Sequence, residues 1–217
     1  MKVYTGPVSL FSAKVRVALD EKRLAHDHVS VGWSLERRYE PHHLDVVALN
    51  PKAQVPVLVD GDVVVYDSTQ ILEYLEDRAP EPPLYPADVA GRARCRRLEA
   101  FADEILFPPL WELIDAGFYP GAAGADGARL AAARARLAEL HRELERELAG
   151  REFLCGAFSV ADIGCFVMTA VAATLGAPPD AGLTALAGWL ARAGARPSLR
   201  RELDGMRAYV AGLRRAA

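Results

Sequence analysis

The 217-residue sequence predicts a two-part chain: a small α/β unit built on a mixed sheet, followed by an all-α bundle. Three observations carry this. Short β-like runs alternate with short helical ones before residue 80, and four prolines crowd into residues 80–86. Beyond them Ala, Leu, Arg and Glu recur at three- and four-residue spacing almost to the end. The expected parts are 1–79 for the α/β unit, 80–87 for the linker and 88–217 for the helical domain.

Taken in order, Lys2 to Tyr4 is a strand. Ser12 to Arg23 follows as a helix, with Val15, Val17, Ala18 and Leu19 at helical spacing and Ser12 as its cap. His28 to Val31 is a second strand, which a β-α-β connection makes parallel to the first. Val57–Val59 and Val63–Tyr66 flank Asp60-Gly61-Asp62, a hairpin signal because Gly supplies positive φ. Ser68 to Glu76 is then a helix, with Ser68 expected as its cap.

In the second half, helical patterning covers Asp88 to Ala116 and Asp126 to Ala149, separated by a Gly/Ala-rich break from Gly117 to Gly127. Phe158-Ser159-Val160-Ala161-Asp162 is a helix start. Ser159 and Asp162 form a capping box with Asp in place of Glu, and Phe158 stands at the staple position. Val160 to Ala177 carries a single charge, Asp162, and sits at the lower edge of spanning length. No aromatic belt or basic flank follows it, which points to the buried central helix of a bundle.

Composition excludes several classes. Hydrophobic residues make up 51% and charged residues 25%, ordinary for a soluble globular protein, and a net charge of −3 gives no reason to expect nucleic acid. The N-terminal stretch MKVYTGPVSLFS lacks the apolar run of a secretory signal. Cys95, Cys155 and Cys165 fit no metal or redox spacing, so a reducing compartment, most simply the cytoplasm, is expected, with no metal. Cys95, inside RARCRR, reads as a helix-surface or interface thiol.

Three stretches carry chemistry. Ser9 and Ser12 lie three apart between a strand and a helix, where a redox site would hold a Cys pair. Gln54-Val55-Pro56 places a proline directly before a strand. If that proline is cis, Val55 turns its N–H and C=O outward to pair with an extended peptide. Asp67-Ser68 follows a strand and opens a helix, whose free N–H groups and the Ser68 hydroxyl suit a carboxylate while Asp67 suits an ammonium group. Together these describe a site for a small zwitterionic peptide.

The pieces SLFSAKVRVAL, NPKAQVPVLVDGD, DSTQILEYLE and FSVADI, in this order and spacing, resemble the cytosolic glutathione transferases. The serine-type branches (zeta-, tau- and theta-like) are nearest. Leu10 replaces a frequent proline, and the Ser-Ser-Cys-Ser run of zeta enzymes is absent. The resemblance implies a thioredoxin-like N-terminal domain, an all-helical C-terminal domain and a homodimer. It implies that Ser9 donates a hydrogen bond to the glutathione sulfur, with Thr5 or Tyr4 as other possible hydroxyls. Val55, ahead of a cis Pro56, would pair with the cysteinyl backbone, and Asp67 and Ser68 would hold the γ-glutamyl end. Gln54, with Lys52 or one of His42 and His43, would reach the glycine carboxylate.

Glutathione is then the co-substrate, and the implied activity is conjugation of its thiolate to a small apolar electrophile. Leu10, Phe11, Phe107, Trp111 and Tyr119 are candidates to line the electrophile pocket. A glutathione-dependent isomerase of the maleylacetoacetate type, a dehalogenase, or a non-catalytic glutathione-binding or regulatory protein are the alternatives. A thiol-transferase is disfavoured, because Ser9 occupies the position that needs Cys. A serine hydrolase is disfavoured by the absence of G-x-S-x-G.

Overall fold

Strand β1 (Lys2–Thr5) pairs in parallel with β2 (Asp27–Ser30) and antiparallel with β3 (Val57–Asp60), which pairs antiparallel with β4 (Val63–Tyr66). The sheet order is β2-β1-β3-β4, the mixed sheet the sequence predicts. A computed structural model describes residues 1–40, 42–118 and 127–216. Contacts divide the chain into two units, 1–84 with 197–217, and 85–196.

In the first unit, helix α1 (Leu10–Glu21) connects the two parallel strands. It starts two residues earlier than Ser12, because Ser9 is the cap: its Oγ accepts from the Ser12 N–H at 3.1 Å. Helix α2 (Leu44–Leu49) was not expected, being one short run between two loops. Helix α3 (Ser68–Arg78) is capped by Asp67 rather than Ser68: Asp67 Oδ1 accepts from the Thr69 N–H at 3.1 Å. Asp67 has a φ of 76°, a region that costs a side-chain-bearing residue energy.

The far ends of α1 and α3 are joined by a buried ion pair. Lys22 Nζ lies 2.6 Å from Glu76 Oε2, with the side chains 1% and 6% exposed. The remaining capacity is filled locally. Lys22 also donates to the carbonyls of Ala79 (2.7 Å) and Pro82 (3.0 Å), and Glu76 accepts from the Leu84 N–H at 3.0 Å. A pair so saturated tolerates burial where an isolated charge does not. The last helix, α9 (Pro197–Ala216), groups with this unit and not with the helices before it. Arg16 on α1 binds Glu202 on α9 through two parallel bonds, 2.9 Å and 2.6 Å, and Tyr209 donates to the Trp33 carbonyl at 2.6 Å.

In the second unit, the helix expected over 88–116 is interrupted. Helix α4 (Val89–Ala100) leads through a π-helical segment, Phe101–Leu106, into α5 (Phe107–Phe118). Pro108 and Pro109 carry no N–H, so regular α-helical bonding cannot run through this junction. Helix α6 (Gly127–Leu148) follows; most of the Gly/Ala-rich break, including Tyr119, lies outside the described residues.

Helix α7 (Val160–Thr174) is nearly enclosed and α8 (Thr184–Gly194) packs beside it. The capping box is present. Asp162 accepts from the Ser159 N–H and hydroxyl and the Leu154 N–H, each at 2.9 Å, and from Trp189 Nε1 at 2.8 Å. Among the described residues no helix is long and apolar enough to cross a membrane.

Candidate functional site

The sheet register decides what meets at one end of it. Tyr4 sits opposite Val57, and Val57 opposite Tyr66. The chain leaving β1, the chain entering β3 and the chain leaving β4 therefore share one sheet end. Those three connections hold Gly6–Ser9, Gln54–Pro56 and Asp67–Ser68. Three stretches far apart in sequence are brought to one edge by antiparallel pairing alone.

The first connection is tightly built. Ser12, expected as a cap, instead lies inside α1 fully buried, and its Oγ accepts from the Gly6 N–H at 3.1 Å. Arg16 donates to the Gly6 carbonyl at 3.0 Å. A Cβ on Gly6 would lie 2.1 Å from the Tyr39 hydroxyl oxygen, so a larger residue here has to displace the Tyr39 ring. Ser9 is partly exposed, and its oxygen already accepts the Ser12 amide hydrogen. A hydroxyl that accepts still has one hydrogen to donate, and accepting strengthens it as a donor.

The other two hydroxyls of this region are engaged. Tyr4 donates to Asp45 Oδ2 at 2.7 Å, and this bond, with burial and the carboxylate charge, raises its pKa. Thr5 Oγ1 lies 2.6 Å from His28 Nε2. Desolvation, then the charge of Arg16, pushes the His28 pKa down, which favours the neutral imidazole.

In the second connection the Val55–Pro56 bond is cis. Val55 packs on the cluster of Tyr4, Val31, Val46 and Val57, while Gln54 is exposed. Asn50, which sequence reasoning missed, builds this loop. Its Oδ1 accepts from the Lys52 N–H at 2.9 Å and its Nδ2 donates to the Gln54 carbonyl at 2.7 Å. The signal was present in Asn50-Pro51: Asn before Pro favours a turn in which the side chain bonds the backbone two residues on.

In the third connection, Asp67 caps α3 with one oxygen and faces Lys52 Nζ across 3.5 Å with the other. A carboxylate has acceptor capacity beyond these two contacts. Ser68 is buried at the first position of α3. His42 bonds Glu40 (2.8 Å), and His43 sets its ring edge-on to Tyr4 with centroids 5.5 Å apart. Leu10 is buried and Phe11 partly exposed on α1. Phe107 and Trp111, one turn apart on α5, have ring centroids 5.9 Å apart, and Trp111 is 37% exposed. Among the described residues no group of three or more His, Cys, Asp or Glu could hold a metal ion.

Residues 3–83 match the family model of the glutathione S-transferase N-terminal domain. A glutathione S-transferase from Rhodospirillum rubrum F11 superposes with a TM-score of 0.79 at 31% identity, over 93% of this chain and 91% of that one. The chain belongs to the glutathione S-transferase family. Its thioredoxin-like first unit and mostly helical second are those of the family. A glutathione S-transferase from Methylobacillus flagellatus, solved with glutathione bound, aligns over 93% of this chain and 98% of its own at 28% identity and a TM-score of 0.78.

Curated relatives of this transferase-family chain divide by name. A stringent starvation protein A homolog from Coxiella burnetii is 41% identical over 98 residues, covering 45% of this chain and 44% of its own length. Glutathione S-transferase Z2 from Arabidopsis thaliana is 40% identical over 93 residues, covering 43% and 40%. These matches span less than half the length of either relative.

Proposed function

We propose that the protein binds glutathione at the sheet end shared by Ser9, Val55 and Asp67, and conjugates its thiolate to a small apolar electrophile. The observation that carries this is the register Tyr4–Val57–Tyr66, which gathers a hydroxyl donor, a peptide-pairing edge and an acidic helix start.

A free thiol has a pKa of about 8.5, so little of it is ionised at neutral pH. The Ser9 hydroxyl and the N-terminus of α1 both favour the charged sulfur. One pKa unit corresponds to about 1.4 kcal/mol, within reach of those two effects. Val55 offers backbone pairing to the cysteinyl residue. Asp67 and Ser68 take the γ-glutamyl ammonium and carboxylate, and Lys52 and Gln54 stand on the side of the glycine carboxylate. Phe11, partly exposed on α1, suits an apolar second substrate on the first unit, and the molecule works as a homodimer in the cytoplasm.

A second reading, a glutathione-binding regulatory member without turnover, is favoured by the 41% identity to a relative named as a starvation protein and not as a transferase. Calorimetric titration with glutathione, followed by turnover assays that follow consumption of an aryl halide, maleylacetoacetate or halogenated acids, separates the readings. Binding with turnover of any of these supports an enzyme and identifies its reaction. Binding without turnover supports the regulatory reading, and no binding removes both.

A further inference from the structure

Cys95 and Cys155 stand 60 positions apart in the sequence, in no redox spacing, yet the segments that carry them are tied together. Arg94, beside Cys95, donates to the carbonyl of Leu154, beside Cys155, at 3.1 Å, and the two cysteine side chains interact. Cys95, expected as a helix-surface or interface thiol, is fully buried on α4. Cys155 is partly exposed, in the turn between α6 and α7 where Gly156 has a φ of 89°. The Ser159 hydroxyl contacts both sulfurs, and the Ala161 backbone contacts Cys95, so the pair lies at the N-terminus of α7.

We propose that Cys155 and Cys95 are a peroxide-sensitive thiol pair, with Cys155 as the attacking sulfur and Cys95 as the resolving one. This stands independently of the glutathione reading, since it uses residues of the second unit alone.

Exposure assigns the roles: Cys95 is fully buried and Cys155 is partly exposed. Interaction with Cys95 holds the Cys155 pKa below the ordinary thiol value, opposed by desolvation and the Asp162 charge and aided by the charge of Arg94. The same interaction, with burial, pushes the Cys95 thiol up, so it keeps its proton until it reacts. Partial exposure admits a small oxidant to Cys155, while Cys95 is reached only through its partner.

The chemistry balances with one hydroperoxide. The Cys155 thiolate attacks a peroxide oxygen and the O–O bond breaks. The second oxygen leaves with a proton, as water from hydrogen peroxide, and Cys155 becomes a sulfenic acid. The Cys95 sulfur then attacks the Cys155 sulfur. The S–O bond breaks, the oxygen departs as water with the Cys95 proton, and a disulfide ties α4 to the turn that feeds the α7 capping box. Two thiols lose two electrons and the peroxide gains them.

The test treats the reduced full chain with hydrogen peroxide under native conditions, blocks remaining thiols, and maps peptides without reductant. The expected result is a Cys95–Cys155 linked peptide and a fall in free thiols from three to one, the survivor being Cys165, reversed by dithiothreitol. In Cys95→Ser the reaction stops at Cys155, where dimedone traps the sulfenic acid. An unchanged thiol count, or Cys155 over-oxidised or bridged between molecules while Cys95 remains alkylatable, overturns the proposal. The wild-type peptide map decides the matter even if the variant fails to fold.

Discussion

The Oγ of Ser9 accepts the amide hydrogen of Ser12 at 3.1 Å, while the Oγ of Ser12 accepts that of Gly6 at the same distance. The two serines thus face opposite ways along the first turn. Ser12 is spent on fixing the loop, and Ser9 caps the helix while keeping its own hydrogen to give.

Capping and thiolate binding by Ser9 are separable. Ser9→Ala should lose about 1 kcal/mol of stability, whereas Ser9→Gly should lose only a few tenths, because glycine is an acceptable cap. Both lack the hydroxyl, and both should slow thioether formation at least tenfold. Denaturant midpoints and initial rates on the same preparations check this. A Ser9→Gly variant with wild-type rates removes the hydroxyl from the mechanism.

Lys22 and Glu76 make a separate demand on the fold. Lys22→Met removes the cation from the Glu76 carboxylate, whose side chain is 6% exposed, and should cost about 3–5 kcal/mol. Replacing both partners with apolar residues should cost less than the sum of the single changes. Chemical denaturation of the three variants is the check.

The sheet and the hairpin were legible because alternation and Asp60-Gly61-Asp62 are local signals. The cap positions were not. Ser12 and Ser68 look like caps in sequence, yet Ser9 and Asp67 hold those places, since any small polar residue near a helix start can take the role. The location of α9 was equally hidden. Its tie to the first unit rests on Arg16 and Glu202, which are 186 residues apart and leave no local trace. The π-helical junction had a visible cause in Pro108-Pro109, but no pattern says what replaces the α-helix there.

Asp162 should be costly to remove. Asp162→Ala strands the Leu154 and Ser159 amides, the Ser159 hydroxyl and the Trp189 indole N–H in a buried site, a loss of about 3–5 kcal/mol. Thermal unfolding should show a large downward shift, whereas Phe158→Leu, which keeps an apolar staple, should show a small one.

His141 sets a pH window. Burial lowers its pKa from 6.5 to about 4, and neither ring nitrogen has a hydrogen-bond partner among the described residues. The folded state holds the ring neutral, so the unfolded chain binds more protons between those values. Stability from this group is complete above pH 6.5 and is lost as pH falls towards about 4, by about 3 kcal/mol. His141→Leu should flatten that dependence, as measured by denaturation across the window. An unchanged slope would point to other titrating groups.

The most direct test of the account is the ionisation of bound glutathione, followed by thiolate ultraviolet absorbance across pH in wild type and Ser9→Ala. The account predicts a midpoint in the wild-type complex at least one unit below the free thiol value of about 8.5, moving back towards that value in the variant. Equal midpoints in the two proteins, with glutathione bound to both, would contradict it.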